Sequence, residues 1–235
     1  KHLEKIAFGD FGLAAMSHRN GVFGFQEKLP PIIKYGLTFL FVQSEFGLCC
    51  PLSMTDSLTR TLKKFGNKDL VKTFFNQLTS QDMDNLFQGA MFMTEQEAGS
   101  DVGSIKTFAE QENKNWYLTG EKWFCSNPDA DLAMVLARPT DNPSGTKGLS
   151  LFLLPKILQN GSHNSYEIIR LKDKLGGKSF ASGEIKLNKA FAYLIGDPNQ
   201  GFKQMTDMIN MSRLSNGVRA SGIMQRSIQE SIYIS

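Results

Sequence analysis

The sequence predicts an α+β fold in three consecutive parts: helices, then β structure, then helices again. Three observations support this. Before residue 87 apolar residues recur at helical spacing. From Phe87 the texture changes to short β-rich runs divided by Gly, Asn, Asp and Pro. Near Gly201 the helical period returns. The expected divisions are an N-terminal helical domain over 1–86, a central β domain over 87–195 and the beginning of a C-terminal helical domain over 196–235.

Taken in order, "PPIIKYGLTFLFVQSEFGL" reads as a buried helix opened by Pro30 and Pro31. In "DSLTRTLKKFGN", Leu58, Leu62 and Phe65 share a helix face, and Gly66 falls where a C-terminal cap belongs. Asn67 is placed to cap the next helix, whose apolar face is Leu70, Phe74 and Leu78. "NWYLTGEKWFCSN" reads as two strands around a Gly turn. "LAMVLA" (132–137), "GLSLFLL" (148–154), "YEIIRL" (166–171) and "GEIKL" (183–187) follow as further strands. Strands this short and evenly spaced predict a barrel or orthogonal sheets rather than βαβ units. Phe202, Met205 and Ile209 then share a helix face, continued by Leu214, Val218 and Met224. No stop signal closes this helix before Ser235, so its apolar stripe should be buried against something outside the segment.

Composition narrows the function classes. The 235 residues carry a formal net charge of +3, too mild to argue for nucleic acid. Three cysteines, two of them adjacent at Cys49 and Cys50, fit a reducing interior and form neither a disulfide framework nor a zinc spacing. That points to the cytoplasm or an organelle interior such as the mitochondrial matrix. No apolar run reaches the roughly 18 residues of a membrane helix, and no signal peptide is visible. The chain opens on Lys1 rather than Met, as a piece of a longer protein would. There is no GxGxxG, P-loop or HExxH, and His2, His18 and His163 are scattered, so neither a metal site nor a Ser-His-Asp triad is indicated.

Two stretches can carry chemistry. In "MTEQEAGSD" (93–101), Gly99 lets a ligand approach the backbone, Ser100 offers a hydroxyl beside consecutive N–H groups, and Thr94 offers a second hydroxyl further back. Such a loop suits a planar heterocycle at one end and a phosphate at the other; a plain polar surface turn is the alternative. In "EKWFCSNP" (121–128), Phe124 can lie against a flat ring and Ser126 can donate to a ring nitrogen, or the aromatics simply fill a β core.

Taken together, "MTEQEAGSDVGSIKT", "LTGEKWFCSN", "LKDKLGGKSFASGEIKL" and "YLIGDPNQGFKQMTDMINMSRL" resemble the acyl-CoA dehydrogenase family, in its order and spacing, from Ser44 onward. "FGLCCPLSMT", "KWFCSNP" and "RLKDKLGGKSFASGE" resemble its AidB-like branch. The resemblance implies an N-terminal helical domain, a central β-barrel-like domain and the start of a C-terminal bundle. It implies FAD held between the last two and shared with a neighbouring subunit of a homotetramer or dimer. It also implies an acyl-CoA substrate and an electron acceptor, electron-transfer flavoprotein or oxygen. The family's flavin motif falls on Met91 to Asp101. The Met93 backbone and Thr94 would then meet the pyrimidine side of the flavin, and Gly99 and Ser100 the pyrophosphate and the mouth of the acyl-CoA channel. The family's second motif falls on Phe124, Cys125 and Ser126, with Phe124 flanking the isoalloxazine and Ser126 near N5.

The sequence departs from the family at Met91 (usually Tyr), Gln96 (usually Pro) and Asn210 (usually Asp). The helix Arg is Arg213, a candidate substrate-side residue or one half of a structural salt bridge. Where some members carry the catalytic carboxylate, one residue earlier, Ser212 stands. The catalytic residues are therefore unknown within this chain. Three readings stay open: an FAD-dependent acyl-CoA dehydrogenase whose base lies elsewhere, an AidB-like flavoprotein of weak or no dehydrogenase activity with a stress or DNA-protection role, and a truncated, non-catalytic oligomer partner.

Overall fold

The structure, a computed structural model, describes residues 1–235. A short helical start (α1, His2–Glu4, running into a π-helical turn at Lys5–Asp10) leads to helices α2 (Pro31–Val42), α3 (Cys49–Phe65) and α4 (Lys68–Leu78). Seven strands follow: β1 (Gly89–Phe92), β2 (Phe108–Glu112), β3 (Asn115–Ser126), β4 (Leu132–Pro139), β5 (Ser150–Pro155), β6 (Tyr166–Leu171) and β7 (Ser182–Ile195). One long helix, α5 (Gly201–Ile234), completes the chain.

The sheet closes on itself in the barrel-like manner the strand spacing predicts. β4 pairs with β5, β5 with β7 and β7 with β3, all antiparallel; β1 and β2 then bridge β3 back to β4, each running parallel to β4. β6 adds to the outside of β7. Alternation along β4 and β5 builds two cores at once. Ala133, Val135, Ala137, Phe152 and Leu154 point into the barrel. Leu132, Met134, Leu136, Leu151 and Leu153 point to the helices, where they meet Leu58 and Leu62 of α3, Leu70, Phe74 and Leu78 of α4, and Met205 and Met208 of α5. Burial on both faces is why these strands read as unbroken apolar runs.

Several elements differ from the sequence reading. "NWYLTGEKWFCSN" is one strand, β3, not two around a turn. Gly120 adopts φ +148°, and the pairing with β7 shifts register between Leu118 and Gly120. A Cβ at Gly120 would meet Thr107 atoms at 2.6–2.9 Å, so the glycine serves a bulge and a close approach. The strand read at 183–187 runs on to Ile195, because β7 changes partner from β3 to β5. Gly66 follows α3 in an extended conformation (φ −68°, ψ 149°) rather than a left-handed one; a Cβ there would meet the Leu62 carbonyl at 2.6 Å. Asn67 caps α4 as expected, accepting from Leu70 N at 2.9 Å.

The expectation of a buried helix at 30–48 is corrected. Only Lys34 and Val42 of α2 are buried, and Ile32 and Leu40 are 74% and 62% exposed. No residue of this chain covers that face. α2 instead leans its inner side on α5, closest at Gly222, where a Cβ would meet Val42 Cγ1 at 2.5 Å and the Phe39 carbonyl at 2.7 Å. Beyond Gly222, α5 is exposed, including Ile223, Met224, Ile228, Ile232 and Tyr233.

Candidate functional site

The site is built on the ends of β1 and β3. β1 lies parallel to β4, from Gly89 beside Leu132 to Phe92 beside Val135, and Met91 pairs with Ser126 of β3. After Phe92 the chain leaves the sheet. Glu95 and Ala98 close a tight turn with reciprocal backbone hydrogen bonds of 3.2 Å. Asp101 ends the loop by capping the short helix Val102–Ser104: its carboxylate accepts from Gly103 N at 3.1 Å and from the Ser104 hydroxyl.

What fixes this loop lies underneath it. The Glu95 carboxylate turns inward and accepts from Lys106 N (2.6 Å), Thr107 N (3.1 Å), Thr107 Oγ1 (2.5 Å) and Lys122 Nζ (2.8 Å). Lys122 is 1% exposed, and its ammonium also donates to the carbonyls of Leu136 (2.8 Å) and Met93 (3.3 Å). Burial alone would raise the Glu95 pKa, but the Lys122 charge and these hydrogen bonds outweigh it and hold the carboxyl below its ordinary range. Trp123 N donates to the Thr94 carbonyl at 2.8 Å. The backbone from Met93 to Glu95 is therefore pinned to β3 and β4.

The loop's outward side is left free. Thr94 is half-buried and Ser100 exposed, and neither hydroxyl makes a hydrogen bond within the chain. A Cβ at Gly99 would meet nothing within 4 Å, so internal packing does not require glycine there. A group lying against the loop from outside would. Phe124 is 51% exposed on the same strand end, whereas Cys125 faces the barrel interior, where burial pushes its thiol up to about 12. At position 125 only backbone can therefore face a ligand. Met91 and Met93 are half-buried and pack on the core formed with α3.

Distant segments complete the surroundings. Ser126 lies against the Cys50 thiol of α3, which also meets Arg219 of α5; burial pushes this thiol up. Ser126 pairs with Ser182 of β7, whose hydroxyl accepts from Lys174 Nζ at 3.0 Å. Lys174 also holds the Phe180 carbonyl at 2.7 Å, and Phe180 packs on Phe46 with centroids 6.0 Å apart. Lys172 sits 3.0 Å over the Trp123 ring and 4.6 Å from that of Phe124, steadied by Glu184 at 2.5 Å. Arg213 is exposed on α5 without a hydrogen-bond or ion-pair partner in this chain, so the salt-bridge alternative is not realised within it. Of the loop's carboxylates, Glu95 and Asp101 are engaged as described, and the exposed Glu97 pairs with Lys106.

The structure thus brings Met91, Met93, Thr94, Gly99, Ser100, Phe124 and Ser126 to one edge of the barrel, and Arg213 stands exposed on α5. Sequence reasoning missed Cys50, Lys122, Lys172, Lys174 and Arg219. Only Lys122 had a signal: it shares the inward parity of Leu118, and a lysine facing a core needs an acid. No cluster of three or more His, Cys, Asp or Glu side chains is placed to hold a metal.

The fold and the site can be compared with known proteins. Residues 90–190 match the acyl-CoA dehydrogenase middle-domain model. The chain is 35% identical over 236 residues to acyl-CoA dehydrogenase family member 11 of Caenorhabditis elegans, covering 97% of this chain and 38% of that protein. It is 33% identical over 203 residues to AidB of Escherichia coli, covering 83% of this chain and 36% of that protein. The crystal structure of Caenorhabditis elegans ACDH-11 in complex with C11-CoA superposes with a TM-score of 0.85 at 33% identity, over 96% of this chain and 39% of that one. Butyryl-CoA dehydrogenase of Megasphaera elsdenii shares the fold, with a TM-score of 0.85 at 20% identity. The chain spans less than two-fifths of the length of the first two relatives.

Proposed function

The chain belongs to the acyl-CoA dehydrogenase family, and on that premise we propose that it carries the flavin-facing part of an FAD-dependent enzyme that oxidises acyl-CoA thioesters between the α and β carbons. The observation that carries this reading is the loop at 93–101: its backbone is locked from within by Glu95 and Lys122, while Thr94, Gly99 and Ser100 face outward without internal partners. Bound FAD would supply the acceptor for the hydride leaving the β-carbon. Thr94 and Ser100 would hold the two ends of the cofactor, Phe124 would cover one face of its ring system, and Ser126 would donate beside the position that receives the hydride. Donors already fixed before the cofactor arrives stabilise developing charge without reorganisation. Ser100 and Arg213 would lie on the acyl-CoA side. The carboxylates of the loop are not candidates for the α-proton base, since Glu95 and Asp101 are occupied and Glu97 pairs with Lys106, and Ser212 cannot serve. The base comes from outside these residues. We read 1–86, 87–195 and 196–235 as the corresponding domains, with electron-transfer flavoprotein (for a dehydrogenase) or oxygen (for an oxidase) as the electron acceptor.

A double Thr94→Ala, Ser100→Ala variant of the full-length protein tests the reading. Each lost neutral hydrogen bond costs about 0.5–1.5 kcal/mol, roughly three- to tenfold in FAD affinity. The variant should purify paler with an unchanged far-ultraviolet circular dichroism spectrum. Stoichiometric FAD surviving dialysis would make the loop a plain surface turn. Resemblance to AidB and the missing base favour a second reading, an AidB-like flavoprotein of weak or no dehydrogenase activity. Anaerobic addition of acyl-CoA separates the two: bleaching of the flavin supports the dehydrogenase, and an unbleached but yellow protein supports the second.

The exposed apolar residues of α5 from Ile223 to Tyr233 support burial against further helices of the protein and a second subunit. We therefore expect a homotetramer or dimer. Sedimentation of the full-length protein as a monomer at micromolar concentration would refute this.

A further inference from the structure

Away from the barrel, a cavity of about 300 Å³ opens where the N-terminal segment, α2, α3 and α5 converge. It is lined by Ser17, His18, Lys34, Arg60, Lys63 and Lys64 on its polar walls, with Asp56. Such a volume is at the lower end of small-molecule sites, but the lining is charged instead of apolar.

The charges do not balance. Asp56 is taken up by Lys34 Nζ at 2.6 Å and His18 Nε2 at 2.8 Å. Asp207 of α5 answers Lys64 at 2.7 Å and Arg60 at 3.4 Å. Four fixed cations (Lys34, Arg60, Lys63 and Lys64) thus face two carboxylates, an excess of two positive charges before His18 is counted. Lys63 has no carboxylate partner. Partial desolvation and the neighbouring Lys28 lower its pKa from the ordinary lysine value. Ser17 Oγ is buried with no hydrogen-bond partner, a vacant donor that native structures seldom leave. Ammonium, guanidinium and hydroxyl donors on several sides of one cavity match an anion with several acceptor oxygens and two charges.

We propose that this cavity is a binding site for a phosphate dianion, either free phosphate or the phosphomonoester of a larger molecule. Lys63 and Arg60 supply the charge, and Ser17 supplies a neutral donor. The site is separate from the loop at 93–101 and does not depend on what that loop binds.

Isothermal titration calorimetry of the full-length protein tests this, with inorganic phosphate and phenyl phosphate as probes and ionic strength held constant with chloride. Saturable one-to-one phosphate binding is expected. Lys63→Gln should weaken it about tenfold and Ser17→Ala about three- to tenfold, whereas Lys72→Gln on exposed α4 surface should leave it unchanged. Tighter binding of phenyl phosphate would identify a phosphomonoester of a larger molecule as the ligand; equal or weaker binding would identify free phosphate. The proposal is overturned if phosphate gives no saturable heat, or if Lys72→Gln weakens binding as much as Lys63→Gln. It is also overturned if phosphate does not bind and Lys63→Gln lowers the melting temperature, because the cavity is then filled by an acidic residue of the protein itself.

Discussion

Replacing Lys122 by Met in the full-length protein should cost about 3–5 kcal/mol of stability, the usual result of removing one partner of a buried ion pair. The Lys122 side chain is wholly inaccessible, and its ammonium ties three segments together: Glu95, Met93 and Leu136. Without it, Glu95 keeps the donors of Lys106 and Thr107 but remains a buried carboxylate with no countercharge. Glu95→Gln should be costly for the converse reason, leaving an ammonium among carbonyls. The double variant Glu95→Gln, Lys122→Met should cost less than the sum of the two, because neither charge is then stranded. Urea denaturation of the four proteins checks this. Additive losses, or a single-variant loss under about 1 kcal/mol, would mean that the pair does not organise the loop. If the loop carries the flavin as proposed, both single variants should also lose flavin more readily, since the Lys122 bonds hold Met93 and Glu95 on either side of Thr94.

The pair shows where sequence reading succeeds and where it stops. Thr94, Gly99 and Ser100 are legible because the features that matter are local: two hydroxyls and a glycine within one short loop. Phe124 and Ser126 are legible for the same reason. The lock beneath them joins residues 27 apart in sequence, and Cys50 and Arg219 reach the site from helices that precede and follow the barrel strands in the chain. No local pattern announces such contacts. The strands were legible because period-two alternation, or unbroken apolar runs such as 132–137, reports burial directly. β3 was misread because Gly commonly marks a turn, and nothing local distinguishes that from a bulge whose Cβ would meet Thr107. α2 was misread because its apolar residues signal burial, while no residue of this chain covers its outer face.

The second large effect is expected at Asp56. This carboxylate joins the N-terminal segment, α2 and α3 through His18 and Lys34, and both partners are buried with it. Asp56→Asn should cost about 3–5 kcal/mol at neutral pH, because Lys34 would keep its charge with no carboxylate to answer it. The loss should depend on pH in a defined direction. Burial raises the Asp56 pKa, but the His18 hydrogen bond and the Lys34 charge more than offset it, so the folded value lies below the ordinary one. A depressed carboxyl contributes its full stability above the unfolded value, near 4, and loses it as pH falls toward the folded value. The wild-type protein should therefore lose stability more steeply below pH ~4 than the Asn variant, and the gap between them should narrow there. Urea midpoints of the full-length proteins at neutral pH and at steps below pH ~4 measure that gap. A gap that stays constant across the acid range would show that Asp56 is not held ionised by its partners. It would also leave the cavity that Asp56 lines with three unanswered cations instead of two.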